Sequence, residues 1–235
     1  MASYMKRLAM PRTWPLARKG TIYVAKPLPG RELQRSLPLS IAIKHLEFAR
    51  TTREVKFILN SSRVKVNLRP VKEVNYPIGL FDVISFPTTK KSYRLLFKNK
   101  KLFLHPISEA ESKIRPARVV NKTILKGKKM QVNLGDGSNF LASAATFLTG
   151  CRAGDTIIID LEKNLASSTL KLEKNSLVYM MGGKHLGHLA KVLEIEGERA
   201  ICEIEGSKVN ALRKHLFVIG KEKPVISLPQ QGAKH

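Results

Sequence analysis

Five basic side chains between residues 50 and 65 are the best candidates for chemistry in this sequence. They are Arg50, Arg53, Lys56, Arg63 and Lys65. Arginine and lysine form charge-assisted hydrogen bonds with phosphate oxygens, so a group of them on one surface binds a phosphate backbone. The sequence therefore predicts a phosphate-binding surface, provided that the fold brings these side chains to one face.

Two helical segments would position this basic group. The first segment has apolar residues at three- and four-residue spacing, which predicts one apolar helix face: Leu39, Ala42, Ile43, Leu46 and Ala49. Pro38 is tolerated in a first helical turn, and Ser36 just upstream is a possible N-cap. The second helix begins with the capping-box pattern Thr51-x-x-Glu54.

The second helix and the strand after it separate apolar from basic residues. The apolar face of this helix consists of Val55, Ile58 and Leu59. Arg53, Lys56 and Asn60 fall largely outside that face. Residues 63–67 alternate strictly, which predicts a half-buried strand with its basic residues outward. Residues 36–86 are therefore predicted to be a small module of two helices and short strands with a basic surface.

Other patterns that could support catalysis or metal binding are incomplete. His185 and His188 are three residues apart but have no third ligand nearby in the sequence. The run 182–184 (GGK) lacks the upstream glycine and the following Ser or Thr of a phosphate-binding loop. Asp155 and Asp160 flank an apolar run, where a turn role is commoner than a catalytic one. We therefore predict no enzyme activity, no cofactor and no metal.

Net charge is the strongest global signal. The chain has 42 Lys and Arg against 18 Asp and Glu, a formal charge of +24. Residues 1–70 carry 15 basic and 3 acidic residues, residues 71–135 carry 14 and 4, and residues 136–235 carry 13 and 11. The first 135 residues are thus expected to face a polyanion. A basic surface that serves only solubility is the alternative.

Length, cysteine content and hydropathy limit the class of protein. With 235 residues and 43% apolar residues, the chain can form one large domain or two to three small ones. Cys151 and Cys202 are far apart and lack metal-ligand neighbours, so a reducing cytoplasm is expected. No apolar run approaches the roughly 18 residues of a membrane span, and we expect neither a membrane partner nor a secretory signal.

The N-terminal segment, residues 1–35, is predicted to be an extended basic arm. Its prolines exclude long helices: Pro11, Pro15, Pro27 and Pro29. Such an arm would order only on binding RNA. Trp14, the single tryptophan, would either stack on a base or anchor the arm in the core.

The remaining chain reads as short strands. Residues 87–170 contain strand runs with a basic hairpin tip at 98–101 and a strong turn signal at 135–137, which predicts a β-rich central domain. Lys126, Lys128 and Lys129 form a further basic cluster. A last unit over 171–220, with a hairpin around residues 196–198, is followed by a tail, 221–235.

Particular motifs in these segments resemble known families. Thr52-Arg53-Glu54-Val55, Ile58-Leu59 and Val64-x-Val66-Asn67 resemble the small RNA-binding module named after bacterial small-subunit ribosomal protein four, which often has glycine at the positions of Ser62 and Leu68. The continuation 75–85 (NYPIGLFDVIS) is similar to the archaeal and eukaryotic small-subunit ribosomal protein family called four-e. Residues 182–195 resemble a KOW motif, whose turn glycines would be Gly183 and Gly187.

These resemblances imply a fold class and a function. The implied fold is α+β and multidomain: the helical RNA-binding module, a β-rich central domain and an SH3-like β-barrel with a KOW motif. The implied role is a structural constituent of the small ribosomal subunit in the cytoplasm, monomeric within the ribosome, whose partners are small-subunit rRNA and neighbouring ribosomal proteins. The residues expected to bind RNA are Lys6, Arg7, Arg12, Trp14, Arg18, Lys19, Arg50, Arg53, Lys56, Asn60, Arg63, Lys65, Asn67, Arg69, Lys98, Lys100, Lys128, Lys129, Lys184 and His185.

Two alternatives use the same modules. An RNA-modifying enzyme would need a catalytic domain that encloses a base, and only about 150 residues without a catalytic constellation follow the module. A transcription elongation factor with a KOW motif would not need so basic an N-terminal half.

Overall fold

The chain folds mainly as antiparallel β-sheet with few helices. The computed structural model describes residues 3–126, 129–141, 150–204 and 206–229. The chain divides into two compact units, Met1–Lys113 and Ile114–His235. The prediction of a multidomain chain is therefore confirmed, with strands predominating over helices.

The first unit contains the predicted helical module and its sheet. Its elements are β1 (Tyr4–Lys6), β2 (Tyr23–Ala25), β3 (Ser36–Pro38), α1 (Leu39–His45), α2 (Thr52–Asn60), β4 (Lys65–Val66), β5 (Arg69–Pro70), β6 (Pro77–Gly79), β7 (Val83–Phe86), β8 (Lys91–Lys98), β9 (Lys101–Ile107) and α3 (Glu109–Ser112). The main sheet has the order β5-β4-β7-β8-β9, and β1-β2 and β3-β6 are two-stranded pairs. All pairings are antiparallel.

The hairpin β8–β9 joins this first sheet, although the sequence pattern placed it at the start of the central domain 87–170. Strand β7 pairs with β8 in the register Val83↔Arg94, and the interior of β8 is buried. The predicted basic tip is present: Asn99 and Lys100 have φ of +51° and +63°, the left-handed conformations of a two-residue hairpin turn. The sheet thus continues through the boundary predicted at residue 86, and residues 114–170 belong to the other unit.

The first helix begins differently from its prediction. Ser36 lies in β3 opposite Gly79, and Pro38 occupies the N-cap position without a side-chain bond. Ser36 is not a cap because strand pairing with β6 takes up its backbone. The helix also ends at His45, since Glu47 adopts a left-handed φ of +61° that a right-handed helix cannot accommodate.

The N-terminal segment is folded onto the first unit, which corrects the prediction of a free arm. Strands β1 and β2 pair with each other. The Leu102 N–H donates to the Thr13 carbonyl at 2.6 Å, and the Leu28 N–H donates to the Asn75 carbonyl at 2.9 Å. Prolines prevented long helices but did not prevent packing, because extended backbone satisfies its hydrogen bonds with other segments.

Two turns of the helical module are left-handed at non-glycine residues. Ser62 has φ of +52° and Leu68 has φ of +63°. These are the positions at which the resembling module often has glycine, so the chain keeps the turn geometry with side chains that disfavour it. An L-residue in this conformation costs about 1–2 kcal/mol relative to a right-handed one.

Replacing Ser62 with glycine is therefore expected to raise the free energy of unfolding by about 0.5 kcal/mol, the strain relieved minus the added entropy of the unfolded chain. Ser61 provides the control: it has φ of −76°, and its hydroxyl donates to the Phe57 and Ile58 carbonyls. Ser61→Gly is expected to destabilise. Urea denaturation of the two variants measures both effects, and equal losses for the two would contradict the prediction.

The described residues of the second unit form two five-stranded sheets. Its elements are β10 (Ile114–Ile124), β11 (Met130–Leu134), β12 (Asn139–Leu141), β13 (Thr156–Asp160), β14 (Leu165–Leu170), β15 (Leu177–Met180), β16 (Leu189–Glu196), β17 (Arg199–Ile204), β18 (Ser207–Leu212) and β19 (Leu216–Gly220). The sheet orders are β12-β11-β10-β13-β14 and β18-β17-β16-β15-β19. Each sheet covers its own apolar cluster, with Val119 and Ile157 in one and Val178 and Val192 in the other.

Several local predictions for the second unit are confirmed. The β11–β12 turn closes at the predicted 135–137, and β16 and β17 form the predicted hairpin around residues 196–198. These features are local, so sequence pattern alone was sufficient to predict them.

Candidate nucleic-acid interface

Helix α2 is fixed in place by its cap and its buried face. The Thr51 hydroxyl accepts from the Glu54 N–H at 3.2 Å, and the Glu54 carboxylate accepts from the Arg50 N–H at 2.8 Å, so the predicted capping box is present. Val55 and Leu59 are fully buried beneath the helix. Burial of these two residues on one side presents the opposite side of the helix to solvent.

The cap also lowers the pKa of Glu54. The Arg50 N–H and the Thr51 hydroxyl, both hydrogen-bonded to the carboxylate, hold the pKa of Glu54 below its ordinary value. Glu54, the acidic residue nearest the basic residues of α2, is thus hydrogen-bonded at the helix N-terminus.

The solvent face of α2 consists of four exposed residues at helical spacing: Arg53, Lys56, Phe57 and Asn60. Two are cations and one is an amide, which suits phosphate and base-edge contacts. Phe57 is 65% exposed at the centre of this face. Sequence reasoning missed Phe57, although a helical projection places it with Arg53 and Asn60, away from Val55.

Arg63 extends this surface from the turn that follows the helix. Its guanidinium carbon lies 5.7 Å from the centroid of the Phe57 ring, within the range of a cation–π contact. Of the other two predicted cations, Arg50 is exposed just before the cap and Lys65 is half-buried in β4. The fold thus leaves four of the five predicted cations exposed around one helix.

Comparison with known proteins places the chain in a family. A model described as ribosomal family S4e matches residues 89–165. The small ribosomal subunit protein eS4 of Methanocaldococcus jannaschii is 34% identical, over 96% of this chain and 97% of its own length. That of Methanothermobacter thermautotrophicus is 36% identical, over 96% of each chain. The chain belongs to the S4e family. The resemblance to the four-e family in the sequence is therefore confirmed.

A solved S4e structure has a similar fold. The crystal structure of the 30S ribosomal protein S4e from Thermoplasma acidophilum superposes with a TM-score of 0.66, covering 80% of this chain and 95% of that one. The identity is 23%, so this likeness concerns the fold alone.

Most predicted RNA-binding residues of this S4e chain are accessible. Those that are exposed are Lys6, Arg12, Arg18, Lys19, Arg50, Arg53, Lys56, Asn60, Arg63, Arg69, Lys98, Lys100, Lys129 and Lys184. Arg7, Lys65, Asn67 and His185 are half-buried. Lys128 lies outside the described residues. The first group is accessible to solvent, but only the α2 residues are gathered on one regular face.

Trp14 is a core residue, which corrects its place among the predicted RNA-binding residues. Its side chain is 1% exposed, and its Nε1–H donates to the Leu33 carbonyl at 3.3 Å. A ring buried in this way cannot stack on a base. Of the two alternatives left open by the sequence, the structure assigns core anchoring.

Asn67 also has a structural role. Its Nδ2 donates to the Asp82 carboxylate at 2.9 Å, and its Oδ1 accepts from the Val83 N–H at 3.0 Å. Both ends of the amide are thus used within the protein. Arg7 is similarly engaged, since its Nε donates to the Ala17 carbonyl at 2.6 Å.

The predicted KOW glycines both adopt left-handed backbone. Gly183 has φ of +82° and Gly187 has φ of +87°, conformations that favour glycine over residues with a side chain. The Gly187 N–H donates to the Met180 carbonyl at 2.8 Å. Ala190, where the motif often has another glycine, lies inside strand β16 and is buried.

The two aspartates considered for catalysis have structural roles. Asp155 is buried, and its carboxylate accepts from the Arg152 and Leu172 N–H groups at 2.7 and 2.9 Å. Asp160 accepts from the Glu162 N–H at 2.9 Å, as a turn aspartate does. The interpretation of both as turn residues is confirmed.

Metal-binding clusters and membrane-spanning helices are both absent from the described ranges. Those residues contain no group of three or more His, Cys, Asp or Glu side chains that could hold a metal ion. Within the same part of the chain, no helix has the length and apolar character needed to cross a bilayer.

Proposed function

We propose that this S4e-family chain is a structural, non-catalytic constituent of the small ribosomal subunit, in which it binds rRNA. The observation that carries the proposal is the solvent face of α2, where Arg53, Lys56 and Asn60 surround an exposed aromatic ring next to Arg63. Lysine and arginine that neutralise phosphates release counterions, and this release supplies most of the affinity. Structured RNA is then recognised by its shape, its 2′-hydroxyls and its unpaired bases.

The distribution of charge along the chain suggests which partners each part contacts. Small-subunit rRNA would contact the first 135 residues, which hold nearly all of the excess positive charge. Residues 136–235 are close to neutral, with 13 basic and 11 acidic residues, and would face neighbouring ribosomal proteins or solvent. The protein would act as a monomer within the cytoplasmic ribosome. The two eS4 relatives described above bear ribosomal names, so neither alternative, modifying enzyme nor elongation factor, is retained.

We also propose that the unit over 171–220 is an SH3-like barrel with a KOW motif over 182–195. Support comes from the five antiparallel strands around one apolar cluster and from the left-handed glycine Gly187 two residues before β16. Lys184 and His185, in the loop before that strand, would be its RNA contacts.

Removing two cations from the α2 face tests the RNA-binding role. Arg53→Ala with Lys56→Ala is expected to reduce the slope of log affinity against log salt by about one to two, since each phosphate contact contributes roughly 0.7–0.9. The measurement is a salt titration with an rRNA fragment. Lys221→Ala with Lys223→Ala, which removes the same charge from exposed positions near the C-terminus, is the control. If the two double variants had equal slopes of log affinity against log salt, α2 would not be part of the RNA-binding surface.

Sedimentation of the protein from cell extract tests its place in the ribosome. It is expected to travel with small subunits at moderate magnesium and to be released only when high salt and EDTA take the subunits apart. A protein that stays at the top of the gradient at moderate magnesium would overturn the ribosomal assignment.

A further inference from the structure

An apolar cleft opens beside the basic face of α2. Its volume is about 140 Å³, and its lining is Phe48, Ile58, Arg63, Phe86, Thr88 and Thr89. The rings of Phe48 and Phe86 stack with centroids 4.2 Å apart. The volume is several times the roughly 30 Å³ share of one water molecule but well below the roughly 300 Å³ at which pockets for drug-sized ligands begin. A cleft of this size suits a single flat ring.

Arg63 connects the cleft with the exposed ring of Phe57. The guanidinium lines the cleft and also lies 5.7 Å from the Phe57 centroid. A guanidinium plane and an exposed aromatic ring are both surfaces on which nucleobases stack. Ile58, the next residue of α2, lies in the cleft wall itself.

Exposed cations adjoin the lining residues in two segments of the chain. One segment is α2, which carries Ile58 of the lining and presents Arg53 and Lys56. In the other, Lys90 and Lys91 directly follow the lining residue Thr89, and both are exposed. The single acid next to a lining residue in the sequence is Glu47. A ligand that matches this surface combines a polyanionic backbone with flat, apolar side groups, and a single-stranded or bulged stretch of RNA has this character.

We propose that the cleft takes one unpaired nucleobase of the RNA that α2 binds. The base would lie along the Phe48–Phe86 wall beside the Arg63 guanidinium, while the exposed cations of the two adjoining segments hold the flanking phosphates. This inference rests on the proposed function, which concerns phosphate binding, and adds to it a preference for RNA with an unpaired base.

The test compares two RNA probes that differ in one nucleotide. One is a duplex with a single bulged uridine, and the other is the same duplex fully paired. The wild-type chain is expected to bind the bulged RNA roughly tenfold more tightly, the scale of a lost base–aromatic stack. Thr88→Trp fills the cleft from its exposed lip and is expected to abolish this preference. Thr88→Val, which leaves the cleft open, is expected to keep it.

A second measurement requires no variant. The bulged nucleotide is replaced with 4-thiouridine, and the photo-crosslinked peptide of the wild-type chain is identified by mass spectrometry. The cross-link is expected at Phe48, Phe86 or Arg63. This readout stands even where Thr88→Trp impairs folding, which thermal unfolding of that variant would reveal.

The outcomes separate the inference from the function on which it rests. Equal affinity of the wild type for the two RNAs, or a cross-link wholly outside the cleft, would overturn the nucleobase site while phosphate binding stands. If the wild type bound neither RNA more tightly than the Arg53→Ala, Lys56→Ala variant does, both the nucleobase site and the proposed RNA-binding function would be overturned.

Discussion

Replacing Trp14 with alanine will lower the free energy of unfolding of the first unit by about 3–5 kcal/mol, the usual cost of removing a fully buried large aromatic ring. Trp14 is 1% exposed, so the substitution removes a ring that is fully buried. The indole N–H bond to the Leu33 carbonyl would be lost as well. Urea denaturation followed by circular dichroism measures the change.

Tyr23→Ala is the matched control for Trp14. It removes an aromatic ring from the same N-terminal segment, but this ring is 60% exposed, so we expect a loss below about 0.5 kcal/mol. Trp14 is the single tryptophan, so its fluorescence in the wild-type chain reports the unfolding of the first unit directly. If Trp14→Ala left stability unchanged but weakened RNA binding, the core role would be contradicted and Trp14 would be an RNA-contacting residue.

Arg31→Ala is expected to destabilise the first unit by about 3–5 kcal/mol, because it leaves a buried carboxylate without its cation. The Asp82 side chain is 0% exposed, and Arg31 Nη2 lies 2.9 and 3.2 Å from its two oxygens. Asp82 also accepts from the Gly79 N–H at 2.7 Å and from Asn67. Arg31 therefore ties the N-terminal segment to the turn at 79–82 and to the strand that follows.

Two variants make the Arg31 prediction specific. Arg35→Ala removes the partner of Glu32, a partly exposed ion pair at 3.3 Å, and is expected to cost at most about 1 kcal/mol. Asp82→Asn in the Arg31→Ala background removes the buried charge and is expected to restore part of the lost stability. If urea denaturation showed equal losses of unfolding free energy for Arg31→Ala and Arg35→Ala, the buried-charge argument would be contradicted.

Contacts between residues close together in the chain were predictable from the sequence. The capping box of α2 was predicted from the three-residue spacing of Thr51 and Glu54, and the structure confirms it. The turn roles of Asp155 and Asp160 were predicted as well, and the structure confirms them. Contacts between residues three or four apart depend on local backbone geometry, which residue types largely determine.

The sequence could not predict contacts between distant segments. Arg31 and Asp82 are 51 positions apart, and Arg31 was not among the candidate residues at all. The hairpin β8–β9 joined the first sheet because β7 pairs with it. An alternating pattern shows that a strand has an apolar face but does not identify its neighbour, so a domain boundary at residue 86 looked equally consistent.

Some features of the candidate site were likewise predictable from the sequence, and others were not. By itself the sequence determined the positive charge of the first 135 residues, the helix α2 with its cations outside the apolar face, and membership of a ribosomal family. Only the tertiary structure decided that Trp14 is buried, that Arg63 covers Phe57, and that Phe48 and Phe86 line a cleft beside them. The reason is physical: charge and helical periodicity belong to residues close in the chain, whereas burial and cleft walls arise where separate segments pack, and no residue type encodes its distant neighbour.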